Sequence, residues 1–295
     1  MAPNSSQLSA LSRLFSSSVF RELGARGRSP LFSRLIREAS LLDICRPSAR
    51  VADAFEAALT ILQNGEHRDE YVYKAALTQN VLLGTHTLRT ACMINEFRVA
   101  DCKADTVILN GTAVVYEIKS ERDSLARLEK QVETYKKVFS KVFVIAGENH
   151  VETVRDMTPK DVGVMYLSKR NNISEVRSAR DRPGRICPLS VFESIRMSEA
   201  REILQRLGVS VPQVPNTVLH GVLREKFVKL RPVDLHFEMV RTLKRTRNLL
   251  PLAQLVHRLP PSLRPAALYV RMKKADHERV VRAVSTSVRE AMKWT

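Results

Sequence analysis

Several features that define common protein classes are missing from this 295-residue sequence. Its four cysteines form no Cys-x-x-Cys pair and no histidine cluster joins them, which excludes a zinc finger or ribbon. Free thiols are typical of a reducing compartment, so we expect a cytoplasmic protein. No apolar run approaches the ~20 residues that cross a bilayer, and the sequence therefore predicts no membrane partner.

Acidic residues are scarce relative to basic ones. The 48 Lys and Arg outnumber the 31 Asp and Glu, which gives a net charge of +17 and a pI near 10.1. The excess is uneven, because residues 221–295 hold 17 basic and 6 acidic side chains, whereas residues 51–150 hold 12 and 14. Such a balance favours a polyanionic partner, with nucleic acid ahead of a membrane surface.

The hydrophobic periodicity divides the chain into segments. We predict a basic helical extension over residues 1–50, although the Ser-rich first 21 residues also resemble a transit peptide in composition. Residues 51–167 form the predicted core. Residues 168–215 are predicted as a loop and a connecting helix over 191–207, and residues 216–295 as a basic helical region.

Within the core, the apolar period changes from that of helices to that of strands and back. Ser120 is expected to open a long helix, with Asp123 as its capping partner. No strand is expected after residue 167. The predicted order is two helices (51–63 and 69–83), three strands (92–99, 105–109 and 112–119), the long helix, and two strands (142–146 and 162–167).

Three side chains at the second and third strands carry the candidate chemistry. Glu117 and Lys119 are two apart on one strand, so they share a face. Asp105 begins the neighbouring strand of the same hairpin. Two nearby carboxylates favour a hard divalent cation, Mg²⁺ or Mn²⁺, which can activate water and neutralise charge on a phosphate. A surface Glu–Lys pair is the simpler alternative for this short pattern.

The hairpin turn decides whether the carboxylates meet. Asn110-Gly111 is a typical two-residue turn, but such a turn would pair Asp105 with Tyr116 and place Asp105 opposite the Glu117 face. We therefore expect an odd-length loop, such as Leu109-Asn110-Gly111 with Gly111 left-handed, or an Asp105 that lies beyond the regular pairing.

This arrangement resembles the PD-(D/E)XK nuclease superfamily. Asp105 matches its metal-binding Asp, and Glu117 and Lys119 match its E-x-K motif. Gln131 and Tyr135 match the Q-x-x-x-Y motif of the RecB-like branch, which implies contacts with DNA. The resemblance covers roughly residues 50–167 and is strongest to small bacterial stand-alone nucleases of unassigned role, some of which are associated with phage defence or mobile elements.

The resemblance implies a restriction-endonuclease-like α/β fold, in which helices flank a mixed sheet and helical extensions lie at both ends. It also implies a further metal ligand from the first core helix, for which we choose Glu70, with Glu96 and Asp101 as alternatives. Some relatives bind an iron–sulfur cluster through one cysteine before the core and three after it. Only Cys187 follows the core here, so no such cluster is expected.

These observations predict a magnesium-dependent deoxyribonuclease with catalytic Asp105, Glu117 and Lys119. A catalytically silent DNA-binding protein with the same fold and an RNA-directed nuclease are the alternatives, and a homodimer is left open. In the basic C-terminal region, Lys244, Arg245 and Arg247 are expected to grip the phosphate backbone. A solvated basic bundle that only packs on the core is the competing interpretation there.

Overall fold

The computed structural model describes residues 3–64 and 67–295, which fold into two compact units. The first, here called the terminal unit, comprises Met1–Gly84, Lys169–Asn172 and Leu250–Thr295. The second, the sheet unit, comprises Thr85–Ser168 and Ile173–Leu249. The first two residues of the predicted N-terminal extension lie outside the described residues.

The described residues contain α-helices, short 3-10 helices and a π-helical segment. The α-helices are α1 (Ser5–Leu14), α2 (Ser17–Arg26), α3 (Pro30–Glu38), α4 (Val51–Leu62), α5 (Glu70–Ala76), α6 (Leu83–Thr85), α7 (Leu128–Lys136), α8 (Val151–Met157), α9 (Pro188–Ser194), α10 (Met197–Arg206), α11 (Asn216–Val228), α12 (Pro232–Thr246), α13 (Ala253–Arg258), α14 (Arg264–Tyr269), α15 (Lys274–Ser285) and α16 (Val288–Ala291). The π-helical segment is Leu77–Leu82, and the 3-10 helices are Leu41–Asp43, Glu148–His150, Pro183–Arg185, Leu250–Leu252 and Pro261–Leu263.

The terminal unit joins the two ends of the chain. Helix α2 packs against α15 so closely that a Cβ atom on Gly24 would lie 3.3 Å from the Asp276 Cβ atom of α15, and 2.8 Å from the sulfur of Met272, which precedes that helix. An isolated antiparallel bridge also pairs Arg50 with Ser287. The segments that we predicted as residues 51–167 and 216–295 are therefore each divided between the two units, because the C-terminal helices pack with the N-terminal ones.

The sheet unit is built on one six-stranded mixed sheet, in which the strands follow their sequence order. The first three strands are antiparallel, β3, β4 and β5 are parallel to one another, and β6 is antiparallel to β5. The strands are β1 (Cys92–Val99), β2 (Cys102–Asn110), β3 (Thr112–Lys119), β4 (Lys141–Ala146), β5 (Gly163–Leu167) and β6 (Ile173–Arg177).

Helix α7 connects β3 to β4, and α8 connects β4 to β5, as parallel strands require. Val132 and Tyr135 of α7 are fully buried in one apolar cluster with Val115 and Val144 of the sheet. Helices α9 to α12 contribute to the same cluster. The predicted α/β class, with a mixed sheet, flanking helices and helical segments at both ends, is confirmed.

Three local predictions need correction. Asp123 does bind the Ser120 amide (2.8 Å), but the contact closes only a local turn, and the helix begins at Leu128. The sheet continues into β6 beyond residue 167. The helix expected over 191–207 consists of α9 and α10, which are separated at Ile195, where the backbone is extended.

In the described ranges, no helix combines the length and the apolar composition that crossing a bilayer requires.

Candidate active site

The turn between β2 and β3 sets the register of the site. Asn110 pairs with Thr112, and Gly111 between them has a φ of 72°, a left-handed conformation that glycine adopts without strain. The loop is thus odd in length, as predicted, although it is centred one residue later than Leu109-Asn110-Gly111. The same register, continued past Thr106 opposite Tyr116, brings Asp105 to the level of Glu117.

Regular pairing between β2 and β3 ends at Thr106 and Tyr116. One residue further, the Asp105 carboxylate takes the place of a backbone acceptor, because its Oδ2 atom accepts a hydrogen bond from the Ile118 amide (2.7 Å). This contact ties the Asp105 side chain to the strand that carries Glu117 and Lys119. Asp105 therefore lies level with Glu117 just beyond the regular pairing, as the second alternative for the hairpin anticipated.

Glu117 is 2% exposed and lies at the centre of a hydrogen-bonded network. Its Oε1 atom accepts from the Lys119 ammonium (2.9 Å) and from the Gln131 amide, and its Oε2 atom accepts from the Tyr135 hydroxyl (2.9 Å). The Gln131 Oε1 atom in turn accepts from Lys119 (2.9 Å). Gln131 thus orients both the carboxylate and the ammonium.

Burial dominates the electrostatics of this network. Removal from water raises the pKa of Glu117 above its ordinary value, although Lys119, Tyr135 and Gln131 all favour the charged form. Burial, together with the adjacent Glu117 charge, also raises the pKa of Tyr135, which therefore remains a hydrogen-bond donor. The charge of Glu117 is only partly compensated, a condition that an added cation would relieve.

Gln131 and Tyr135 were expected to contact DNA. Both lie on α7 and point at the Glu117 carboxylate, and Tyr135 is fully buried. In this structure, their polar atoms hold the Glu117 side chain in place. The motif spacing brought them to the site, and the geometry assigns their contacts to Glu117.

Each of the three candidates for a further metal ligand forms an ion pair with a lysine. Glu70 belongs to the terminal unit, where it pairs with Lys74 (2.6 Å). Asp101 is exposed and pairs with Lys130. Glu96 faces Asp105 in the β1–β2 register and has a φ of 55°, which is rare outside glycine, but its carboxylate pairs with Lys103.

The side chains of Asp105 and Glu117 provide oxygen atoms, the type of ligand that a hard cation such as Mg²⁺ prefers. Asp105 and Glu117 supply two carboxylates, and Mg²⁺ is commonly bound by one or two carboxylates with water and substrate phosphate completing its shell. No group of three or more His, Cys, Asp and Glu side chains is gathered within residues 3–64 and 67–295. A third protein ligand is therefore not assigned.

Two of the three basic residues predicted to grip DNA at the C-terminal end of α12 form ion pairs within the protein. Arg247 binds Glu199 through two nitrogen atoms (2.9 and 2.8 Å) and lies over the Phe97 ring, and Arg245 binds Glu202. Lys244 is half-buried. Glu199 and Glu202 on α10 are thus the acidic partners of two of the three residues that were predicted to grip DNA.

A polar cluster at the start of β3 was not anticipated. The Thr112 hydroxyl lies 3.1 Å from Nε2 of the fully buried His236, 2.6 Å from the Ser140 hydroxyl and 3.3 Å from the Asp181 carboxylate. Burial lowers the pKa of His236, which favours the neutral form of its imidazole. These residues come from four separate parts of the sequence, and no local motif signals their association.

Comparisons with known proteins place the chain in a phage family. The family described as bacteriophage P4 protein cII matches residues 63–234, more than half of the sequence. Protein cII of Enterobacteria phage P4 is 34% identical over 129 residues, which cover 42% of this chain and 48% of that protein. The chain thus spans about half the length of this curated relative. No solved structure matches the chain significantly. By the extent of the family match, the chain belongs to the bacteriophage P4 protein cII family.

Proposed function

We propose that this protein is a metal-dependent nuclease that hydrolyses DNA phosphodiester bonds. The observation that carries the proposal is the buried Glu117 carboxylate, which is bound by Lys119, Gln131 and Tyr135 and lies at the strand level of Asp105. Buried charged groups cost free energy unless they are fully paired, so such a cluster with an only partly compensated acid is typical of a functional site.

Asp105 and Glu117 are the residues that would hold Mg²⁺ or Mn²⁺. When bound, the ion supplies charge neutralisation at the phosphate and an acidified water. Lys119 is 7% exposed and its ammonium lies 2.9 Å from Glu117, a position from which it can donate to a phosphate oxygen or orient the attacking water. Gln131 keeps that ammonium directed at the carboxylates.

The order of elements supports the same interpretation. In the sheet unit, three antiparallel strands, a helix and a strand parallel to the third follow one another in the order that the PD-(D/E)XK resemblance implies. Asp105, Glu117, Lys119, Gln131 and Tyr135 all fall within the region that matches the phage P4 protein cII family. A role in a phage or another mobile element belongs to this proposal.

The test is a cleavage assay with the purified protein. Labelled single- and double-stranded DNA and RNA are incubated with Mg²⁺, Mn²⁺ or EDTA, and the Glu117→Gln variant is compared with Glu129→Gln. Glu129 is an exposed acid on α7, so its variant controls for the loss of one negative charge. We expect DNA cleavage only with a divalent ion, lost in Glu117→Gln and kept in Glu129→Gln. Equal cleavage in EDTA would refute the metal mechanism.

A second candidate, a catalytically silent DNA-binding protein, is favoured by one observation. Both oxygen atoms of Glu117 already have donors within the protein. The assay separates the candidates, because a silent protein binds DNA without cutting it under every metal condition. Cleavage of RNA alone would instead support the RNA-directed alternative.

A further inference from the structure

Residues 178–187 cross the end of the sheet at which β4 and β5 begin. The Arg180 amide donates to the Asp161 carbonyl (3.0 Å), the Arg182 amide to the Ser140 carbonyl (3.0 Å), and the Cys187 amide to the Lys137 carbonyl (2.8 Å). These three contacts bring the segment alongside the residues that precede both strands. Basic side chains from distant parts of the sequence are thereby placed along one edge.

Two arginines fasten this segment to the protein. Arg177 donates to the Val162 carbonyl (2.7 Å) and to the Arg155 carbonyl (2.9 Å) at the end of α8. Arg185 donates to the Ser140 carbonyl (3.2 Å) and pairs with Asp161. Burial lowers the pKa of both guanidinium groups. Their role is structural, and they keep the backbone between them fixed.

Four cations on this edge have no such engagement. Within the parts of the chain that the structure describes, Lys137, Lys160, Arg180 and Arg182 are exposed and form no ion pair or side-chain hydrogen bond. The nearby acids are already occupied, because Asp161 pairs with Arg185 and Lys136, and Asp181 lies 3.3 Å from the Thr112 hydroxyl and 3.9 Å from Lys141. We call these four residues the basic edge.

We propose that the basic edge binds the phosphate backbone of duplex DNA. Four like charges on an anchored backbone repel one another unless they meet anions, and an anchored surface loses little conformational freedom on binding. The contrast with α12 supports this placement, since Arg245 and Arg247 already have acidic partners there. That the polyanion is DNA rests on the proposed function.

The distance between the edge and the candidate active site suits a duplex. Strand β3 begins at the same end of the sheet as the basic edge and ends at Lys119, seven residues after Thr112. At about 3.3 Å per residue this is roughly 23 Å. Phosphates of one strand repeat every ~3.4 Å along the axis, so about seven base pairs would cover that length.

The experiment measures binding without cleavage. A fluorescein-labelled 20-base-pair duplex is titrated in EDTA, and fluorescence anisotropy gives the affinity between about 50 and 200 mM salt. The test variant is K137Q/K160Q/R180Q/R182Q. The control, R89Q/R201Q/K226Q/K229Q, removes four cations that also lack ion pairs but lie elsewhere in the same unit. Thermal melts establish that both variants fold.

We expect the test variant to bind DNA more weakly. The slope of log affinity against log salt should become shallower by about 3–4, because each lost phosphate contact removes about 0.9 from that slope. The control should keep the slope of the unmodified protein. A parallel titration measures binding to anionic lipid vesicles. Equal slopes in all three proteins would overturn the proposal for the basic edge. A test variant that loses vesicle binding but keeps its DNA binding would overturn it as well. Cleavage is assayed separately with Mg²⁺, so a failure of the edge leaves the nuclease proposal to be judged on its own assay.

Discussion

Glu117 and Glu199 are both almost fully buried carboxylates of the sheet unit, 2% and 1% exposed, yet their environments differ. Burial alone would raise the pKa of Glu199, but two bonds from Arg247, together with the Arg196 amide and the Thr246 hydroxyl, outweigh it and lower that pKa to about 2. For Glu117, burial prevails and the pKa is raised.

The difference lies in the partners. A planar guanidinium matches a carboxylate with two parallel hydrogen bonds, which makes the Glu199–Arg247 pair rigid and electrically complete. Glu117 has one flexible ammonium and two neutral donors, so its charge is held in place without being fully neutralised. The first arrangement suits a structural link between α10 and α12, and the second suits a site that accepts a cation.

The largest expected effect concerns activity. Glu117→Gln keeps the size of the side chain but removes the charge, so we expect metal-dependent DNA cleavage to fall at least about 100-fold, the lower end of what a group acting in the transition state contributes. Glu199→Gln should retain cleavage per folded molecule. Rates measured with single turnover and corrected for the folded fraction decide this, and comparable losses in both variants would contradict the functional distinction.

The second prediction concerns stability. Arg247→Ala leaves Glu199 charged and buried without its partner, which is expected to cost about 3–5 kcal/mol of the free energy of unfolding. Arg245→Ala removes an exposed pair with Glu202 and should cost no more than about 1 kcal/mol. Urea denaturation of the two variants measures both values. A small loss in Arg247→Ala would mean that the ion pair is not a structural link.

The two acids should also respond to pH in opposite directions. The folded pKa of Glu199 is depressed, so its contribution to stability is present above its ordinary value of 4.5 and is lost as pH falls towards about 2. The folded pKa of Glu117 is raised, so its contribution is present below 4.5 and is lost as pH rises through the folded value.

Unfolding in EDTA at several pH values tests these signs. The destabilisation caused by Glu199→Gln should shrink towards acid pH. Glu117→Gln should become more stable relative to the unmodified protein as pH rises. If the stabilities of both variants, relative to the unmodified protein, change in the same direction with pH, then the opposite pKa shifts assigned to Glu117 and Glu199 are wrong.

The sequence could predict what depends on neighbouring residues. Asn110-Gly111 marked the position of the turn, and the two-residue period of β3 indicated that an odd-length loop would bring Asp105 to the Glu117 face, because register follows from loop length. The four-residue spacing of Gln131 and Tyr135 likewise put both side chains on one face of α7. The order from β1 through α7 to β4 followed from the change in apolar period, whereas α8 and β6 were not predicted.

What could not be predicted depends on contacts between distant residues. Glu199 and Arg247 are 48 residues apart, and nothing local to Arg247 signals an acidic partner. The terminal unit unites residues near 24 with residues near 272 through helix packing that periodicity does not specify. The predicted start of α7 at Ser120 was wrong for a related reason, since the Ser120–Asp123 turn is compatible with a helix but does not require one.

The smallest expected effect concerns the basic residues at the C-terminal end of α12. The sequence assigned the phosphate grip to Lys244, Arg245 and Arg247, but Arg247 cannot be replaced without the stability loss predicted above. The double variant Lys244→Gln/Arg245→Gln spares it and removes one half-buried and one exposed cation. Because Glu202 already neutralises Arg245, we expect the salt slope for duplex DNA to change by no more than about 1, against about 3–4 for the basic edge. A double variant that flattens the slope as much as the basic-edge variant would return the DNA grip to α12, and it would show that Glu202 releases Arg245 when DNA binds.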